Sequence, residues 1–205
     1  MASQRELAVL LILLMIVMTW SWINPYDRVT WWLEAIPVII ALPVMWATRN
    51  GFPLTRLCYY LIFIHAVILV VGAHYTYARV PLGFWMQEWF GFTRNHYDRI
   101  GHIAQGFIPA IIAREILTRR NVIKTPGWRF FLVTSFCLGF SAFYELLEWW
   151  TALIGGDGSV SFLGTQGDVW DAQWDMFLAL CGAIASQLLL GRLHDRQMMD
   201  VAKRH

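Results

Sequence analysis

Three aspartates, Asp168, Asp171 and Asp175, stand in the stretch GTQGDVWDAQWDM at i, i+3 and i+7, on one face of a helix. Two further segments repeat the pattern: NHYDRIGH sets Asp98 and His102 four apart, and YELLEWW sets Glu145 and Glu148 three apart. Carboxylates with imidazole form the mixed oxygen and nitrogen set used for Zn, Mn or Fe, and paired carboxylates can bridge two ions. The expected ligands of such an ion are Asp98, His102, Glu145, Asp171 and Asp175. Glu148 or Asp168 would act as general base on a bound water, and Arg99 or Arg94 would hold an anionic phosphate.

The elements that must carry these residues are spanning helices. The 205 residues are 58% hydrophobic and 15% charged, with 12 tryptophans, which is too apolar for an ordinary soluble domain. Runs near the roughly 20 residues that cross a bilayer predict an all-α, polytopic fold of about six transmembrane helices. The expected spans are 6–24, 31–48, 54–74, 99–118, 129–153 and 168–191, within a single integral membrane domain covering 1–205. The first run has one basic residue, Arg5, before its apolar core, but ends in Trp20 and Trp22 with no small-x-small cleavage site, so it is expected to remain as a helix.

Lysines and arginines set the orientation. With both termini cytoplasmic, twelve lie inside and only Arg28, Arg79, Arg94 and Arg99 lie outside, as the positive-inside rule requires. The net charge of +2 therefore reports topology rather than nucleic-acid binding. The tail GRLHDRQMMDVAKRH is expected to be cytoplasmic, with His194 and His205 solvated. Cys58, Cys137 and Cys181 fall in apolar runs without CxxC spacing and read as small buried hydrophobes. His65, mid-helix, reads as a histidine satisfied by an interhelical hydrogen bond.

In this topology the start of helix four, the end of five and the start of six meet at the external face. A helix beginning near Asp168 would put Asp175 about 10 Å down its axis. A carboxylate in a spanning helix costs on the order of 3 kcal/mol, and two arginines cannot neutralise six acids, so bound protons or a metal ion are required. Asp168 and Asp98 could instead cap helix starts. GAHYTYARVPLG brings His74 and Tyr77 to the same face, and His96 stands beside Arg94, so these four are possible further site lining. The following FWMQEWFGF is a short amphipathic stretch that can lie along the interface, as an aromatic belt or as a lid.

AHYTYARVPLG, RNHYDRIGHIAQGFIPA, SAFYELLEWW and FLGTQGDVWDAQWDM together resemble the bacterial inner-membrane proteins of the YjdF family, a domain of unknown function. The resemblance implies a multi-pass protein of the bacterial inner membrane and carries no biochemical activity with it. A lesser similarity, on YDRIGHIAQGF and the Asp-rich last helix, is to the VanZ-like membrane proteins, from which glycopeptide resistance is not carried over. Three functions fit the residues. One is a metal-dependent membrane-embedded enzyme acting by hydrolysis or phosphoryl transfer on a lipid or lipid-linked headgroup. The others are a cation- or proton-coupled transporter and a non-catalytic membrane scaffold. The expected partners are membrane lipids and a lipid-linked substrate, with no nucleic acid. Oligomeric state is not legible.

Overall fold

Six helices long and apolar enough to cross a membrane make up most of the chain in the computed structural model, which describes residues 2–155 and 165–203. They are α1 (Gln4–Trp22), α2 (Arg28–Thr48), α3 (Arg56–Tyr75), α5 (Tyr97–Arg119), α6 (Pro126–Gly155) and α7 (Asp171–Ala202). Between α3 and α5 lie a single 3-10 turn (Tyr77–Arg79) and the short α4 (Pro81–Phe90). No strand occurs among the described residues. The short Trp-rich stretch is thus helical, with Phe84, Trp85, Trp89 and Phe90 exposed, as an interfacial helix requires.

Polar contacts fix which helix ends share a face. At one face Arg56 pairs with Glu6 at 2.5 Å, Gln197 accepts a bond from the Leu57 amide, and Arg114 pairs with Asp195. At the other, Ser21 donates to the Val70 carbonyl, the Tyr26 amide donates to the His74 carbonyl, and Arg94 and Arg99 meet Asp168 and Asp171. The helices therefore alternate in direction, and α5 and α7 run parallel with α6 returning between them.

α5 is the central helix: 56% of its span is buried, against 11% for α1. It packs against α3, α6 and most extensively α7. Small residues make that approach possible, since a side chain on Gly106 would run into the Ala179 backbone and one on Gly182 into the backbone of Ile103 and Phe107. A second layer of Leu14, Val38, Ala66 and Val70 joins α1, α2 and α3.

Two boundaries differ from the sequence expectation. α7 starts at Asp171 with Trp170 as its N-cap residue, so Asp168 precedes the helix and accepts a bond from the Trp170 amide in a turn. Asp175 consequently lies about 6 Å along the axis, one turn in rather than two. α7 also continues to Ala202 instead of stopping near 191, because its last turns are packed: Met198 and Val201 are buried and His194 is fully so.

Candidate functional site where α5, α6 and α7 meet

Asn95 and Gln166 clamp the two segments that lead into α5 and α7. The Asn95 amide donates to Gln166 Oε1 (3.0 Å) and Gln166 Nε2 donates to the Asn95 carbonyl (2.8 Å). Gln166 and Gly167 both have positive φ, 48° and 85°, which turns the chain sharply before α7. Asn95 also donates to the Val80 carbonyl and accepts from the Tyr97 amide. Neither amide residue stands out in the sequence.

The clamp brings two arginines onto three aspartates. Arg94 Nη1 donates to Asp171 Oδ1 (2.6 Å) and Asp168 Oδ2 (3.4 Å). Arg99 Nη2 donates to Asp168 Oδ2 (2.9 Å) and Asp171 Oδ1 (3.1 Å), while its Nη1 donates to Asp175 Oδ1 (3.2 Å). Asp168 and Asp171 are thus balanced by guanidinium groups, as charge-assisted pairs in a low dielectric must be. His96, just before α5, stacks on Phe92 at 4.4 Å. Partial burial, with Arg94 and Arg99 nearby, holds it below the usual histidine range, so it adds no positive charge here.

The remaining acids surround His102. Its Nε2 lies 3.5 Å from Asp98 Oδ1, 3.8 Å from Glu145 Oε1 and 3.9 Å from Asp175 Oδ2. Its Nδ1 is 3.0 Å from Gln105 Oε1, an acceptor, so Nδ1 carries the proton and Nε2 turns toward the carboxylates. Glu145 Oε1 is buried with no hydrogen-bond partner among the described residues. Asp98, His102 and Asp175 each offer a ligand atom within 4.8 Å of one another, and so do His102, Glu145 and Glu148.

Behind Asp98 and His102 lies a cavity of ≈ 50 Å³ that Glu148, Tyr144, Tyr77 and Glu34 also line. Glu34, on α2, is buried and its Oε2 has no hydrogen-bond partner among the described residues. It is an acid from a fourth helix with no charged residue three or four positions away, so no local spacing in the sequence links it to the others. Tyr77 reaches the cavity because Thr76 adopts φ 59° and because Gly72 and Gly101 leave room for its ring. His65 lines the same cavity, and its buried Nε2 has no partner among the described residues, so no neighbouring described helix satisfies it there. His74 is not part of the acidic group: its Nδ1 is 3.1 Å from the Ser21 carbonyl and its ring stacks on Trp20.

The family described as "Predicted membrane protein (DUF2238)" matches residues 6–196. The chain belongs to that family. It is 50% identical over 185 residues to "Inner membrane protein YjdF" of Escherichia coli (strain K12), covering 90% of this chain and 88% of that protein. No solved structure matches the chain. This member of the DUF2238 family is a multi-pass protein of the inner membrane.

A second buried polar group lies at the opposite face. Glu115 accepts from the Thr55 amide and hydroxyl, from Arg119 Nη1 and from Cys58 Sγ, and its Oε2 is 3.0 Å from His194 Nε2. Arg114 donates to His194 Nδ1 (3.2 Å) and to both oxygens of Asp195. His194 is therefore not solvated, since the helical continuation of α7 carries it into this network. Cys58 is buried but polar in its contacts, Cys137 is buried in apolar packing, and Cys181 is exposed rather than buried. His205 lies outside the described residues. Cys58, Glu115 and His194 are close enough to share an ion. Yet a guanidinium only donates, so His194 Nδ1 must accept and Nε2 must carry the proton, the reverse of what a metal on Nε2 needs. The group is a satisfied knot joining α3, α5 and α7.

Proposed function

We propose that the acidic site holds a divalent metal ion, Zn, Mn or Fe, on His102, Asp98, Asp175 and Glu145, and that it serves hydrolysis or phosphoryl transfer on a lipid or lipid-linked headgroup at the periplasmic face. The observation that carries this reading is His102 Nε2 facing three carboxylate oxygens at 3.5–3.9 Å, with Nδ1 turned to Gln105. Such a gathering of carboxylates needs positive charge at its centre, which a metal ion on Nε2 supplies and an imidazolium proton would supply instead. Ligand atoms of a tetrahedral ion with bonds of about 2.1 Å are about 3.4 Å apart, close to the distance from His102 Nε2 to each of the three carboxylates, with Asp98 and Asp175 forming one close group around it and Glu145 with Glu148 the other. Gln105 supplies the outer hydrogen bond that metal-bound histidines use to fix their tautomer.

In this reading Glu148 is the general base, because it faces the cavity and has a ligand atom near His102, whereas Asp168 is held by both arginines. The metal supplies a polarised water or phosphoryl oxygen. Asp171 serves to hold Arg94 and Arg99 rather than the ion. An anionic headgroup arriving at the outer face would take its place on the arginines by displacing Asp168, whose side chain is 26% exposed against 7% for Asp171.

The test is elemental analysis by plasma mass spectrometry of protein purified in mild detergent, beside Asp175→Asn and Glu145→Gln. One tightly held transition metal per chain, lost in both variants with folding intact, is the expected result and directs the next assay to lipid hydrolysis. Folded, metal-free protein would overturn the reading and favour proton-coupled transport or a scaffold.

A further inference from the structure

We infer that the cavity between α2, α3, α5 and α6 is a second cation site, for a hard, oxygen-seeking divalent ion such as Mg²⁺ or Mn²⁺ that keeps part of its water shell, with Glu34, Asp98 and Glu148 as its charge partners. The inference rests on the reading of a first ion at His102 and extends it to a two-ion centre in which Asp98 stands on the partition.

Three carboxylates from three different helices line this space, and no lysine or arginine does. Arg94 and Arg99 are committed to the aspartates on the α7 side. Glu34 is only 3% exposed, so water outside the protein cannot solvate it, and its Oε2 has no partner among the described residues. An orphaned carboxyl oxygen in an enclosed acidic cavity is expensive, and a cation removes that cost.

The lining chemistry selects the class of ion. Apart from the two histidines, its polar side chains present carboxylate, phenol and amide groups, the last two from Tyr77, Tyr144 and Gln105. His102 has its ring nitrogens turned to Gln105 and to the first site. Oxygen ligands suit Mg²⁺ and Mn²⁺. Glu34, Asp98 and Glu148 do not bring their oxygens within 4.8 Å of one another, so water must bridge them to an ion, and Mg²⁺ retains such waters readily. A cavity of ≈ 50 Å³ accommodates them, since one water needs roughly 10–15 Å³ of such space.

The experiment is a Mn²⁺ titration of the full chain in mild detergent after chelator treatment, with free Mn²⁺ read by electron paramagnetic resonance. Two ions per chain are expected for the unchanged protein, one for Glu34→Gln, and two for Glu34→Asp with one of them bound about tenfold more weakly. Asp175→Asn should lose the other ion. One ion in both the unchanged chain and Glu34→Gln would overturn the second site alone and identify Glu34 as a protonated acid. No ion in folded, unchanged protein would overturn both sites. Should Glu34→Gln fail to fold, Glu34→Asp decides: unchanged affinity at both sites overturns the inference.

Discussion

Gln105 decides what His102 can do. By accepting the Nδ1 proton it leaves Nε2 free to face Asp98, Glu145 and Asp175. Gln105→Leu should therefore weaken metal binding by about 10–100-fold while the helix stays intact, read by competition with a chelator of known affinity. Arg99 acts differently, as the balance for three aspartates. Removing it strands buried charge, so Arg99→Ala should lower stability by about 3–5 kcal/mol in thermal unfolding, and Arg99→Lys should not restore it, because an ammonium cannot span the same three carboxylates. At this scale the spacing of Asp98 with His102 and of Glu145 with Glu148 was readable, since i, i+3 and i+4 residues share a helix face whatever the fold. Glu34 and Gln105 were not: a single acid or amide in an apolar helix has no local partner, and its neighbours come from other helices.

Among the helices, α5 and α7 decide the site by how closely they lie. Asp175 meets Arg99 and stands beside His102 only because Gly106 and Gly182 let two parallel backbones touch. Gly182→Ala should lower both the melting temperature and the metal content. Gly139→Ala, on α6 where a new methyl group meets nothing within 4 Å, should leave metal unchanged and stabilise by about 0.5–1 kcal/mol. Melting curves and elemental analysis on the same samples check both, and parallel losses in the two variants would show that packing at Gly182 is not special. The sequence holds two runs of small residues, CLGFSA and CGAIAS, which imply close packing without naming the partner helix. The start of α7 was misplaced for a related reason. Asp168 has the residue type of a helix cap, but it sits in the turn before the helix, bonded to the Trp170 amide and engaged by Arg94 and Arg99.

Across the whole molecule, polar groups are concentrated at two levels, the acidic site at one face and the Glu115 knot at the other. Between them the described helices are joined largely by apolar packing, such as Leu14, Val38, Ala66 and Val70. Glu115→Ala removes the acceptor for Thr55, Cys58, Arg119 and His194 together, and should cost about 3–5 kcal/mol without altering the metal content of the protein that remains folded. Thermal unfolding and elemental analysis distinguish this from a functional role, for which metal or activity would fall at full stability. The sequence alone determined the class of molecule, the six spans and the gathering of acids at one end of the helices, because apolar length and alternating helix direction are properties of the chain in a bilayer. Only the tertiary structure decided which acids pair with arginine and which surround His102, that Glu34 joins them from α2, and that His194 is buried. Those outcomes depend on side chains meeting between helices at distances of a few ångströms, which the backbone approach at small residues sets and which no local pattern encodes.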